Sequence, residues 1–208
     1  EPTPYKEYPN PAAKPVVLNI GTGGNGIGTL TLKNTVSKGE ESLIDNYHFS
    51  SESLAQATSS DHRLLYVSAI LKEDIHISGT PSISIKATSS KPAVNLSVYL
   101  VSLPWNNDWN AKITDNIITR GWADLQNHKS LTESAPLKPN TFYKMTFDLQ
   151  PDDQIIKKGQ QIGLLIFSSD SSYTLLPEPG TKLTVDLTET KIGIPIVGGE
   201  KAFQRAIN

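Results

Sequence analysis

Apolar and polar residues alternate strictly through the middle of the chain. In SISIKAT (Ser82 to Thr88), Ile83, Ile85 and Ala87 interleave with Ser82, Ser84 and Lys86, and Val94, Leu96, Val98 and Leu100 repeat the pattern in VNLSVYLVSL. A period of two places one set of side chains on a buried face and the other on a wet one, which predicts half-buried antiparallel strands. With LLYVSAIL (Leu64 to Leu71) and DIHISGTP before them, Arg63 to Leu103 reads as the folding core. PVVLNI, TLTLK, FYKMTFDL and TKLTVDLTE add strands on either side, and QIGLLIFSS, apolar at consecutive positions, predicts a central strand buried on both faces. IGIPIV predicts an edge strand interrupted by Pro195, and the tail GGEKAFQRAIN a mobile end. Residues 34–61 predict a long polar connection with one helical turn near Ser53 to Ala57, and PDDQIIKKGQ a turn.

At 208 residues the chain suits one large all-β domain. Prolines at 2, 4, 9 and 11 make residues 1–14 an extended lead-in or linker, with Tyr5 and Tyr8 placed to pack back, and 15–208 a single β-sandwich. A lead-in of this composition, without an initiator methionine, suggests a fragment cut or processed from a longer polypeptide. Nineteen Lys and Arg against 21 Asp and Glu, a net charge of -2, argue against nucleic acid and anionic membrane as partners. No run approaches the roughly 18 apolar residues of a membrane span. The absence of cysteine fits a reducing compartment, and a bacterial cytoplasm is the expected location.

Candidate chemistry is sparse. Gly21, Gly23 and Gly26 match G-x-G-x-x-G, but the alternating TLTLK follows where a phosphate site needs a helix, so a glycine-rich hairpin is the expectation. No G-x-S-x-G surrounds Ser168, Ser169, Ser171 or Ser172, so His48, Asp61 and His62 read as packing or surface groups rather than as members of a hydrolase site. Asp152 and Asp153 are adjacent and would face opposite ways on a strand. Asp108, Asn110, Asp115 and Asn116 lack the ordered spacing of a calcium loop, and the sequon at Asn95 falls inside a core strand; no metal or cofactor is expected. Trp105 and Trp109 in PWNNDWN, with Arg120 and Trp122 flanking Gly121, have the aromatic and arginine content of an interface or ligand face. The competing reading has one or both loop tryptophans fold back to close the end of the sandwich. Gly121 predicts a bulge or a close backbone approach that aims Arg120 and Trp122 off the regular pleat.

Three blocks in order, LLYVSAILKEDIHISGTPSISIKATSSKPAVNLSVYLVSL, ITRGWADLQN and LKPNTFYKMTFDLQPDDQIIKKGQQIGLLIFSSD, resemble the carboxy-terminal domain of X-prolyl dipeptidyl-peptidases, the PepX-type serine peptidases, and of their cocaine-esterase-like relatives. The enzymes of lactic-acid bacteria look nearest. The resemblance implies a jelly-roll, galactose-binding-like β-sandwich appended to an upstream α/β-hydrolase domain. That earlier domain carries the family's catalytic serine, aspartate and histidine, so no catalytic residue is carried over. It further implies a non-catalytic role in docking on the hydrolase domain, shaping substrate access, and supporting a homodimer of the parent. The alternative is a carbohydrate-binding module, since sandwiches of this kind often bind sugars.

Overall fold

The computed structural model describes residues 7–36, 38–130 and 132–208; Tyr5 and the start of the lead-in lie outside them. The strands are β1 (Ala13–Ile20), β2 (Gly28–Thr31), β3 (Glu40–Ile44), β4 (Leu64–Val67), β5 (Ile75–Gly79), β6 (Ser82–Ser89), β7 (Asn95–Leu103), β8 (Ile117–Asp124), β9 (Tyr143–Asp148), β10 (Asp152–Ile156), β11 (Gln161–Phe167), β12 (Lys182–Asp186) and β13 (Lys191–Val197). Among the described residues there are also two α-helices, α1 (Ser51–Gln56) and α2 (Gly199–Ile207), and two short 3-10 turns, Ile113–Asp115 and Leu125–Asn127. The domain is an all-β sandwich. One sheet holds β3, β12, β6, β13 and β1, with β9 on the far side of β6 and the β5–β10 pair at the end of β13. The other runs β4-β11-β7-β8, and β2 bridges the two by pairing with β1 antiparallel and with β4 parallel.

Alternation builds the interior as expected: Ile83, Ile85 and Ala87 of β6 meet Leu96, Val98 and Leu100 of β7 in the central cluster, all fully buried. The second face of β7 departs from expectation. Tyr99 and Val101 are also buried, joined by Leu65, Leu165 and Phe167 in a cluster on the outside of the β4-β11-β7-β8 sheet, where α1 supplies Leu54 and Ala55. A half-wet strand has become a two-sided one because a helix and a loop cover it.

Four other elements differ from the sequence reading. The polar EESLI forms β3 at the sheet margin, where pairing with β12 does the holding and one apolar side chain, Leu43, suffices. DDQII is a strand, β10, rather than a turn, in register with β5 from Asp152↔Gly79 to Ile156↔Ile75. The strand through IGIPIV is central: β13 pairs with β1 along its length and with β6 and β5 on its other side. Pro195 is tolerated because it sits opposite Pro15, so that pair exchanges no N–H bonds, and in the gap between the β6 and β5 pairings. The tail is helix α2 rather than a mobile end: Phe203 and Ala206 lie three residues apart on its buried face.

Candidate functional site

Three of the four candidate contact residues share the outer face of the β4-β11-β7-β8 sheet. A bulge opposite Leu100 and Val101 puts Ile118 and Thr119 both inward, after which Arg120 pairs with Tyr99 and Trp122 with Ser97, all outward. The bulge therefore precedes Gly121, and Arg120 and Trp122 follow the regular pleat instead of leaving it. Gly121 is the close approach: a Cβ there would stand 2.9 Å from Leu149 Cα and 3.0 Å from the Asp148 carbonyl oxygen.

Arg120 and Trp122 belong to an aromatic cluster that Asp170 assembles. Asp170 is 3% exposed, and its Oδ2 accepts from the Tyr99 hydroxyl at 2.5 Å and from Trp122 Nε1 at 3.1 Å. Its Oδ1 accepts from the Ser172 N–H, an Asx-turn, and Thr174 Oγ1 accepts from the Asp170 N–H, so the carboxylate also shapes the loop that delivers Tyr173. Tyr173 lies over Trp122 with centroids 4.6 Å apart, and Tyr99 meets Trp122 and Phe167 edge-on. The Arg120 guanidinium sits 4.5 Å from the Tyr173 centroid, 5.8 Å from Trp122 and 5.9 Å from Tyr99. Burial, then the bond to Asp170, holds the Tyr99 phenol above its ordinary pKa.

Further along the face, Trp105 folds back half-buried against the outer cluster and lines a groove of ≈ 370 Å³ with Ala55, Leu65, Val67 and Leu103. Trp109 does not join: it is 96% exposed at the loop tip. Asp170 and Tyr173 were missed by sequence reasoning, which saw only serines in SSDSSYT; the Asx-turn signature of an aspartate two residues before Ser172 was the available clue.

The other candidates serve local structure. His62 Nδ1 contacts the Ile44 carbonyl oxygen at 2.8 Å and its ring stacks on Phe49, while His48 lies beside Tyr47. The glycine-rich segment leads into β2, not a helix, and its amides are filled by the chain's own carboxylate: Gly23 and Gly24 N–H groups donate to Glu41 at 2.5 and 2.8 Å. Asp108, Asp115 and Asn116 accept bonds from Asn110, Lys112 and Asn106 in turns, and among the described residues no group of three His, Cys, Asp or Glu is placed to hold a metal. Asn95, the sequon residue, donates to Ser169 Oγ and the Leu175 carbonyl oxygen.

Asp152 and Asp153 face opposite ways on β10, as adjacent strand residues must. Asp153 accepts from Ser78 Oγ at 2.6 Å and meets His76 Nε2 at 2.9 Å. Asp152 Oδ2 is buried without a hydrogen-bond partner, and burial raises its pKa. A folded-state pKa above the unfolded one means the native protein binds this proton more tightly; the contribution is favourable below about pH 4 and turns into a penalty as pH rises through the folded value. Asp152→Asn is expected to raise the Tm at pH 7, with the gain over wild type vanishing below about pH 4 in a pH series of thermal melts. An equal gain at both ends of the series would contradict this origin.

A family model described as the X-Pro dipeptidyl-peptidase C-terminal non-catalytic domain matches residues 2–206. A Rhodopirellula baltica protein, named provisionally as an Xaa-Pro dipeptidyl-peptidase, is 55% identical over 96% of this chain and 32% of its own length. A Bacillus cereus protein of the same provisional name is 36% identical over 92% of this chain and 32% of its own. A Streptococcus sanguinis Xaa-Pro dipeptidyl-peptidase matches only 46% of the chain, at 31% identity, so the expected leaning towards lactic-acid bacteria is not where the similarity is strongest. The chain spans about a third of the length of the curated relatives that it matches across its extent. Among solved structures, an aminopeptidase from a marine-sediment Thaumarchaeota archaeon superposes with a TM-score of 0.72 at 15% identity, over 93% of this chain and 38% of that one. An α-amino acid ester hydrolase gives 0.67 at 14%, over 88% and 36%. At those identities the likeness concerns the fold. No helix among the described residues is long and apolar enough to cross a membrane.

Proposed function

Because the chain belongs to the family of X-Pro dipeptidyl-peptidase C-terminal non-catalytic domains, we propose that it docks through its outer aromatic face on the upstream α/β-hydrolase domain of a serine-type X-Pro dipeptidyl aminopeptidase and helps shape that enzyme's substrate access. The observation that carries this reading is the composition of the face: Trp105, Trp122 and Tyr173 surround a buried apolar floor, and Leu175 beside them is 85% exposed. Aromatic anchors at the centre of a patch with one arginine are the composition of interface hot spots. Interaction with a second copy of the parent is the competing use of the same face.

Hydroxyl-radical footprinting of the full-length parent tests it. Relative to their exposure here, Tyr173 and Leu175 are expected to oxidise much more slowly than Val17, which is 44% exposed on β1 of the other sheet. Oxidation of Leu175 at the rate its exposure here implies would sink the reading. Trp122→Ala in the same protein is expected to loosen docking by about 2 kcal/mol and to lower X-Pro cleavage.

Carbohydrate binding keeps one specific support, the open indole of Trp109. Trp122 offers less, since Tyr173 and Arg120 occupy its surface. A glycan panel read by tryptophan fluorescence decides: a change abolished by Trp109→Ala would favour a sugar platform.

A further inference from the structure

Arg120 is held in place and has nothing to bind. Three rings fix its guanidinium, yet among the described residues its side chain makes no hydrogen bond and no ion pair; Asp170, the carboxylate of this cluster, is already engaged by Tyr99 and Trp122. An arginine stays charged at any working pH, and its planar fork of donors matches a carboxylate. On an open surface such a charge is solvated by water. Under a partner it is not, and Tyr173, Leu175 and Leu176 (52, 85 and 47% exposed) mark the surrounding surface as one that a partner would dry. A partner covering this face strips that water from the guanidinium, and a carboxylate on the partner is the group that would best replace it.

The route of the chain indicates which partner. In the curated relatives about two-thirds of the length lies outside this domain, and the matching family is a carboxy-terminal one, so the remainder joins through the lead-in. That lead-in passes over β5, the strand paired with β10. The Asn10 N–H donates to Ser78 Oγ, Tyr8 lies within electrostatic reach of Asp152, and Asp152 lines with Arg120 a small cleft of ≈ 160 Å³. A tethered domain entering at this point meets the face at high effective concentration.

We propose that Arg120 is the ionic anchor of the docking face, receiving an aspartate or glutamate side chain from the hydrolase portion of the same chain. The proposal rests on the docking reading above and adds the chemistry of its central contact. It is tested in the full-length parent with Arg120→Lys and a zero-length carbodiimide, which joins an amine to a carboxylate only when the two touch. The expected product is an amide between the lysine placed at position 120 and an Asp or Glu upstream of this domain, found by peptide mass spectrometry. In a mixture of isotopically light and heavy protein, that link joins peptides of one label. A link to a carboxylate within residues 7–208, a link of mixed label, or no link at position 120 while other lysines react would each overturn the proposal. The footprint separates the two failures: protected Leu175 without the link leaves docking standing and removes the anchor, whereas unprotected Leu175 removes docking itself.

Discussion

Arg63→Met is expected to lower the Tm of the protein by roughly 6–20 °C, from a loss of about 3–5 kcal/mol. Arg63 is fully buried, and its guanidinium faces backbone carbonyls: Nε donates to Leu54 at 3.1 Å, Nη2 to Ala57 at 2.7 Å, and Nη1 to both Gly24 and Gly26. These carbonyls belong to α1 and to the glycine-rich loop, neither of which has a long ladder of its own. One side chain ties both to the entrance of β4. Burial depresses the Arg63 pKa, yet the group stays charged, and methionine would fill the space while taking the side-chain donor from four carbonyls, of which, among the described residues, only that of Gly24 keeps a backbone partner, the Leu65 N–H. Arg63→Lys is expected to fall between the two, because an ammonium presents its donors from a single point. Thermal and urea unfolding measure the series; a methionine variant within about 1 kcal/mol of wild type would mean that the loops hold themselves. The same substitution should enlarge the groove beside Trp105, since Ala57 of its wall is bonded to this arginine.

Asp170→Ala carries the second large effect, about 2–4 kcal/mol, together with disassembly of the candidate face. The variant removes the acceptor of the Tyr99 hydroxyl, which is left with Ser51 as its hydrogen-bond neighbour at a site 1% exposed, and frees Trp122 Nε1 and the Ser172 N–H. With the Asx-turn gone, Tyr173 leaves Trp122 and Arg120 loses its closest ring. Tryptophan emission should shift to the red as Trp122 becomes wetter, and the Tm should fall by roughly 4–16 °C. Asp170→Asn keeps the shape and one acceptor but not the charge, and is expected to lose about half as much. A spectrum unchanged in Asp170→Ala would show that Trp122 is placed by packing alone.

Much of the sandwich was legible because a strand's period of two is written in the strand itself: Ile83 to Ala87 and Val94 to Leu100 announce which way they point. The misreadings share a cause. EESLI, DDQII and IGIPIV lack a clean pattern of their own and become strands through partners far along the chain, β12, β5 and β1. α2 is hidden for a different reason: Phe203 and Ala206 are spaced for a helix, but two apolar positions in a polar segment at a chain end make a weak period, and it is packing that holds the helix.

The candidate site divides in the same way. Residue type alone singled out Trp105, Trp109, Arg120 and Trp122, and the ordered blocks of the chain were enough to indicate the family. Only the tertiary structure separated Trp109 from the other three and brought Asp170 to Tyr99 and Trp122, across 71 and 48 residues of chain. Local pattern is set by the geometry of one strand. A cluster built from two strands and a distant loop depends on the register between them, which no single segment encodes.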